Sequence, residues 1–162
     1  MSTEKKVWTL IIIFAALFAY GVYNIFAPDK FPMSLIRGQA REIAPGIIIG
    51  PYPTRDELVR LKKGGVKKVV SLLNESILIE RRIIEEDRKM AGELGLEYVN
   101  VPLVYLDIES PENMRLVNRL VADTIADKGK KIYVHCYLGR HRVRVFEKAY
   151  LNALNLSPSP PR

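Results

Sequence analysis

Residues 131–142 read Lys131-Ile132-Tyr133-Val134-His135-Cys136-Tyr137-Leu138-Gly139-Arg140-His141-Arg142. A short apolar run of strand type ends at a histidine and at the only cysteine of the chain. A loop carrying one glycine follows, and then an arginine that opens a helix. Strand, short loop and helix in that order make an anion cradle: the loop N–H groups converge, and the helix N-terminus adds partial positive charge. The same field favours thiolate over thiol for a cysteine at its base. A thiolate beside a bound phosphate is the nucleophile of a reaction that passes through a phosphocysteine. In that reaction Cys136 attacks phosphorus. Arg142 grips two oxygens with its planar fork, and the backbone from Tyr137 through Leu138, Gly139, Arg140 and His141 completes the cradle.

Upstream of this stretch, strand and helix signals alternate. Ile47-Ile48-Ile49 reads as a first strand. Thr54 with Glu57 forms a capping box that opens a short helix, closed by Gly64-Gly65. Val69 to Leu73 reads as a buried strand. Residues 78–94 read as a helix with Ile79, Ile83, Ile84 and Met90 on one side and Gly95 as its stop. Tyr98 to Leu103 is the next strand, and Ser110-Pro111-Glu112 starts a helix with a hydroxyl cap, a proline and an acid in the first turn. Such alternation predicts an α/β fold with a mainly parallel central sheet flanked by helices, whose sites lie at the carboxyl ends of the strands. Cys136 falls at such an end.

Further toward the N-terminus, no charged residue lies between Lys6 and Asp29. Val7 to Ala27 is 21 residues long, which as a helix rises roughly 30 Å, the thickness of a bilayer core. Trp8 at one end and Tyr20 and Tyr23 at the other suit the two interfaces. The stretch exceeds a normal signal-peptide core, and Pro28 would follow the best cleavage point, so an uncleaved transmembrane helix is expected. Lys5 and Lys6 before it are balanced by Lys30, Arg37 and Arg41 after it, which leaves the membrane face open. The expected organisation is a flank at 1–6, a membrane anchor at 7–27 and a juxtamembrane linker at 28–43. A domain over 44–154 and a proline-rich tail at 155–162 complete it.

The 162 residues carry a formal net charge of +7, which suits phosphorylated or anionic-membrane partners. One cysteine excludes an intrachain disulfide framework, and with only His135 and His141 a structural zinc site is not expected. No zinc finger, aromatic RNA-binding signature or long lysine tract points to nucleic acid. Glu80-Arg81-Arg82 and Glu85-Glu86-Asp87-Arg88-Lys89 interleave acid with base and read as a solvated helix face.

His-Cys, five residues and then Arg resembles the signature of the cysteine-dependent protein tyrosine phosphatase superfamily, with surroundings most similar to its dual-specificity branch. Gly139-Arg140-His141-Arg142 is similar to the Gly-Lys-His-Arg of atypical plant and fungal dual-specificity phosphatases. The resemblance spans about residues 44–154. It includes Ile47-Ile48-Ile49-Gly50-Pro51-Tyr52-Pro53, Gly65-Val66-Lys67-Lys68-Val69-Val70-Ser71-Leu72-Leu73 and Gly95-Leu96-Glu97-Tyr98-Val99-Asn100-Val101-Pro102-Leu103. It implies a phosphatase that needs no cofactor or metal, in which His135 is structural, hydrogen-bonding around the loop. The general acid is expected between Leu103 and Pro111. Asp107, in an Asp-x-x-x-Pro spacing similar to some family acid loops, is the first candidate and Glu109 its rival. Arg140 and His141 resemble the basic loop residues of relatives that handle polyanions. The implied substrates are therefore phosphorylated proteins, or phospholipids and inositol phosphates. The sequence departs from the family at Val143, where Ser or Thr is usual after the arginine, and at Arg144, where glycine is common. A valine cannot donate the hydroxyl hydrogen bond, so a phosphate-binding pseudophosphatase is the alternative. A sulfur-transfer domain of rhodanese type is a more distant one.

Overall fold

The computed structural model describes residues 3–27, 29–127 and 129–155 and divides into two compact units, residues 1–36 and 37–162. The first unit holds α1 (Thr3–Phe26) and a single turn, α2 (Met33–Ile36). Over Glu4–Phe26, α1 is long and apolar enough to cross a membrane. Tyr20 closes the turn after it by donating its hydroxyl to the Phe31 carbonyl at 2.6 Å.

The second unit runs β1 (Arg41–Ala44), β2 (Ile47–Pro51), α3 (Arg55–Lys63), β3 (Val66–Ser71), α4 (Leu78–Glu93), β4 (Glu97–Asn100), α5 (Pro111–Ala126), β5 (Lys131–Cys136) and α6 (Arg142–Ala153). The five strands lie in the order β1-β2-β5-β3-β4. Only the β1–β2 pair is antiparallel, so the sheet is mainly parallel, as the alternating pattern requires.

β5 is central, and its period of two sorts the residues that matter here. Ile132, Val134 and Cys136 join Ile47, Ile49, Val70 and Leu72 in a core closed by Val117 and Leu120 of α5 and by Val143 and Phe146 of α6. The alternate residue Tyr133 packs on the other face with Leu58 of α3 and Ala91 of α4. The sheet therefore carries α5 and α6 on one side and α3 and α4 on the other.

Local signals set several boundaries. Thr54 caps α3 in a reciprocal capping box with Glu57, and the Ser110 hydroxyl accepts from Asn113 N–H above the proline that begins α5. β3 starts at Val66, ahead of the expected Val69. β4 stops at Asn100 rather than Leu103, because Pro102 has no N–H for a further ladder bond. Within the stretch read as linker, residues 41–43 form most of edge strand β1. Its Arg41 reaches Glu147 of α6 with both terminal nitrogens, at 2.7 and 2.5 Å.

Candidate active site

Cys136 ends β5 opposite Pro51 of β2, and residues 137–141 turn from it into α6. Gly139 makes that turn possible. Its φ is +67°, and a Cβ there would lie 2.4 Å from the Pro51 nitrogen. The loop thus packs backbone against backbone on the end of β2, which only glycine allows. Two of its carbonyls are tied outward: Tyr137 C=O accepts from Tyr52 N–H at 3.1 Å, and Leu138 C=O accepts from Gly38 N–H at 2.8 Å. Among the described residues, the N–H groups of Leu138, Gly139, Arg140, His141 and Arg142 find no acceptor in the protein. A run of unpaired N–H groups at a helix start is an anion site.

The loop opens on a cavity of about 230 Å³. Cys136, Tyr137, Leu138, His141 and Arg142 border it from the loop and helix, and Ile77, Glu80 and Tyr105 border it from the other elements. Cys136 itself is buried, with 5% of its surface exposed, and it lines this cavity.

Arg142 is fixed by Glu80 of α4. Its Nη1 donates to Glu80 Oε2 at 3.0 Å and to the Leu72 carbonyl at 3.1 Å, and its Nη2 donates to Glu80 Oε1 at 2.6 Å. Three of the five guanidinium N–H groups are thereby used. The remaining Nη2–H and the Nε–H lie side by side, and Nε is buried without a partner. That free edge is a second planar fork of the right shape for two oxygens of a phosphate. Glu80 also accepts from Asn74 N–H at 2.7 Å, which anchors the carboxylate that aims the arginine.

His135, on the α3/α4 side of β5, is fully buried with its Nε2 at 2.8 Å from Oδ2 of Asp87, itself fully buried on α4. Tyr133 stacks on its ring at a centroid distance of 5.8 Å, and Tyr52 lies at 6.1 Å. Burial, with Asp87 nearby, pushes the Tyr52 hydroxyl well above the ordinary tyrosine value. The imidazole is thus oriented from behind the loop and touches none of the cavity. Glu80 and Asp87 correct the expectation of a solvated face over 80–89. Both sit in the stripe 80, 83, 84, 87 and 91, whose other members Ile83, Ile84 and Ala91 are buried. Two acids at helical spacing inside an apolar stripe were the signal that composition alone concealed.

The segment before α5 is held by Asn113. Its Oδ1 accepts from Val104 N–H at 2.9 Å, and its Nδ2 donates to the carbonyls of Val104 and Asp107, both at 2.8 Å. Tyr105 is the residue this segment brings to the cavity. Its ring meets His141 edge-on at 5.6 Å, and the Arg142 guanidinium carbon stands 5.6 Å from its centroid. Asp107 and Glu109 are exposed, and neither borders the cavity. Arg140 is likewise exposed, one residue before His141 at the rim.

A strap from residue 37 closes the opposite side. Arg37 makes a bidentate ion pair with Glu57, at 2.8 and 2.5 Å, and donates to the Tyr52 carbonyl at 2.7 Å. Burial works against the Glu57 charge, but the Arg37 and Thr54 hydrogen bonds outweigh it and hold the carboxyl below the usual range. Gly38 then passes so close that a Cβ would sit 3.0 Å from the carbonyl oxygens of Leu138 and Gly139.

No protein-family profile and no curated protein matches the sequence. Solved structures do match. A protein assigned to the DUF442 phosphatases of Shewanella putrefaciens is 25% identical with a TM-score of 0.62, over 76% of this chain and 73% of that one. The core catalytic domain of the PP-IP phosphatase SIW14 of S. cerevisiae is 15% identical with a TM-score of 0.60, over 75% and 71%. TpbA of P. aeruginosa is 19% identical with a TM-score of 0.55, over 75% and 72%.

Proposed function

We propose that this chain, a member of the cysteine-dependent protein tyrosine phosphatase superfamily, hydrolyses phosphate monoesters through a phosphocysteine while an N-terminal helix holds it at a membrane. The observation that carries the reading is the buried, unpartnered Nε of Arg142, on a guanidinium whose other edge Glu80 already fills. A surface arginine needs no such arrangement. One that must accept two oxygens in a fixed plane does.

In the first step the Cys136 sulfur attacks phosphorus and the bond to the leaving oxygen breaks. The free edge of Arg142 and the unpaired N–H groups of residues 138–142 take the equatorial oxygens, whose charge they bind best in the transition state. The leaving alkoxide takes a proton from a carboxylic acid, a role we assign to Asp107, with Glu109 as the rival in the same segment. In the second step water gives its proton back to that carboxylate and attacks phosphorus. The sulfur then leaves with its electron pair, restoring the thiolate. His135, pinned by Asp87, orients the end of β5 and takes no proton.

The substrate classes to test follow from the basic rim and from the yeast neighbour, a PP-IP phosphatase: phosphoproteins, and phosphoinositides or inositol phosphates. Val143 supports a second reading, a pseudophosphatase that binds phosphate and turns it over weakly. It is fully buried in the core, with no hydroxyl to assist release of the thiolate. The deciding assay uses the detergent-solubilised chain and its Cys136→Ser variant on an aryl phosphate and a phosphoinositide panel, with chelator present. Release by the unmodified chain that vanishes in the variant is the expected result. Ligand binding by both proteins with release by neither would leave the binding module.

A further inference from the structure

Two segments that flank the cavity expose apolar side chains the proposed chemistry does not use. Ile77 stands at the N-cap of α4 and Leu78 and Ile79 begin the helix, and Val104, Tyr105 and Leu106 precede α5. Ile77 and Tyr105 both line the mouth, so the segments meet there. Leu106 is 94% exposed and Leu78 is 70% exposed. Exposed apolar side chains gathered at the rim of a polar site mark a contact with a partner or a membrane.

Two features name the occupant. Exposed arginines accompany the apolar tips: Arg81 and Arg82 stand near the start of α4, and Arg140 stands on the cysteine loop. Among the described residues Arg140 makes no ion pair, while Arg82 lies 3.9 Å from Glu85, and the exposed acids Asp107 and Glu109 stand on the same segment as Leu106. Leucine tips beside arginines match an anionic bilayer, where apolar side chains enter the acyl boundary and cations meet the headgroup charge. The chain also carries α1, long and apolar enough to cross a membrane, so a bilayer is a surface the domain meets at high effective concentration.

We propose that residues 77–79 and 104–106 seat the mouth of the site on a bilayer, and that the phosphate it accepts is a monoester carried on a membrane lipid. The proposal rests on the phosphatase reading and narrows its substrate to molecules presented at an interface. The lipid tail stays in the membrane while the headgroup alone enters the cavity.

The test uses the full chain reconstituted in phosphatidylcholine vesicles containing phosphatidic acid. Leu106→Trp is placed in a Trp8→Phe background, which removes the only native indole. Brominated phosphatidylcholine is expected to quench the new indole, and an unquenched indole would overturn the seat. In parallel, the Leu78→Asp/Leu106→Asp double variant is compared with the unmodified chain. Release from phosphatidic acid is expected to fall about tenfold or more, from the lost burial of two leucines, while release from a soluble aryl phosphate holds. An equal fall on both substrates, or a matching fall on a phosphotyrosine peptide, would overturn the lipid assignment. Absence of release from every substrate in the unmodified chain would sink the phosphatase reading, and the quenching would still decide the seat.

Discussion

At the scale of single residues, the site rests on two carboxylates of α4, Asp87 buried and Glu80 partly buried, serving two groups of the cysteine stretch. Asp87 holds His135, and Glu80 holds Arg142. Glu80→Gln keeps one acceptor but loses the charge and half of the fork. We expect kcat to fall roughly 10²-fold with a smaller change in KM, because an interaction realised in the transition state is weakened; steady-state kinetics on an aryl phosphate reads the split. Val143→Thr restores a hydroxyl at the start of α6. If breakdown of the phosphocysteine limits turnover, the variant raises the steady rate and lowers the amplitude of the burst, which stopped-flow measurement resolves. The cysteine, arginine and histidine were legible because their chemistry depends on neighbours in sequence. Glu80 and Asp87 were not, since their roles come from α4 packing beside β5, across more than 45 positions of chain in the Asp87–His135 pair.

At the scale of elements, the short buried strands and capped helices declared themselves through local chemistry. Thr54→Ala removes the side-chain acceptor of the α3 capping box and is expected to cost ~1 kcal/mol, read as a lower urea midpoint. The α5 start was equally plain, from a serine cap and a proline. β1 escaped notice because a four-residue edge strand with only partly buried positions carries no apolar run. The segment between β4 and α5 lies between these cases. Its place after β4 and before α5 followed from the element order, but which side chain faces the cavity is set by Asn113. That residue ties the backbone at Val104 and Asp107 and leaves Tyr105 at the mouth.

At the scale of the whole molecule, ion pairs between distant segments make stability depend on pH at both extremes. Glu57 has its pKa lowered in the folded state, against burial, by Arg37 and Thr54. Its contribution is therefore complete above the ordinary glutamate value of ~4.3 and is lost as pH falls through the lowered folded value. Lys68 has its pKa raised: burial opposes the charge, but hydrogen bonds to Asp127 and Glu97 prevail. Its contribution is complete below the ordinary lysine value of ~10.4 and is lost as pH rises through the raised one. Urea midpoints across pH are expected to fall at both ends, and Glu57→Gln is expected to flatten only the acid limb.

The strap at residues 37 and 38 gives trimming of this chain an unexpected reach. A protease that clips between Gly38 and Arg41 does more than shorten a leash. It severs the donors of the Leu138 carbonyl, the Tyr52 carbonyl and the Glu57 carboxylate from the body that needs them. The lead-in is one wall of the cysteine loop, so a fragment that begins at Arg37 keeps these ties, and any shorter cut removes them from the loop backbone.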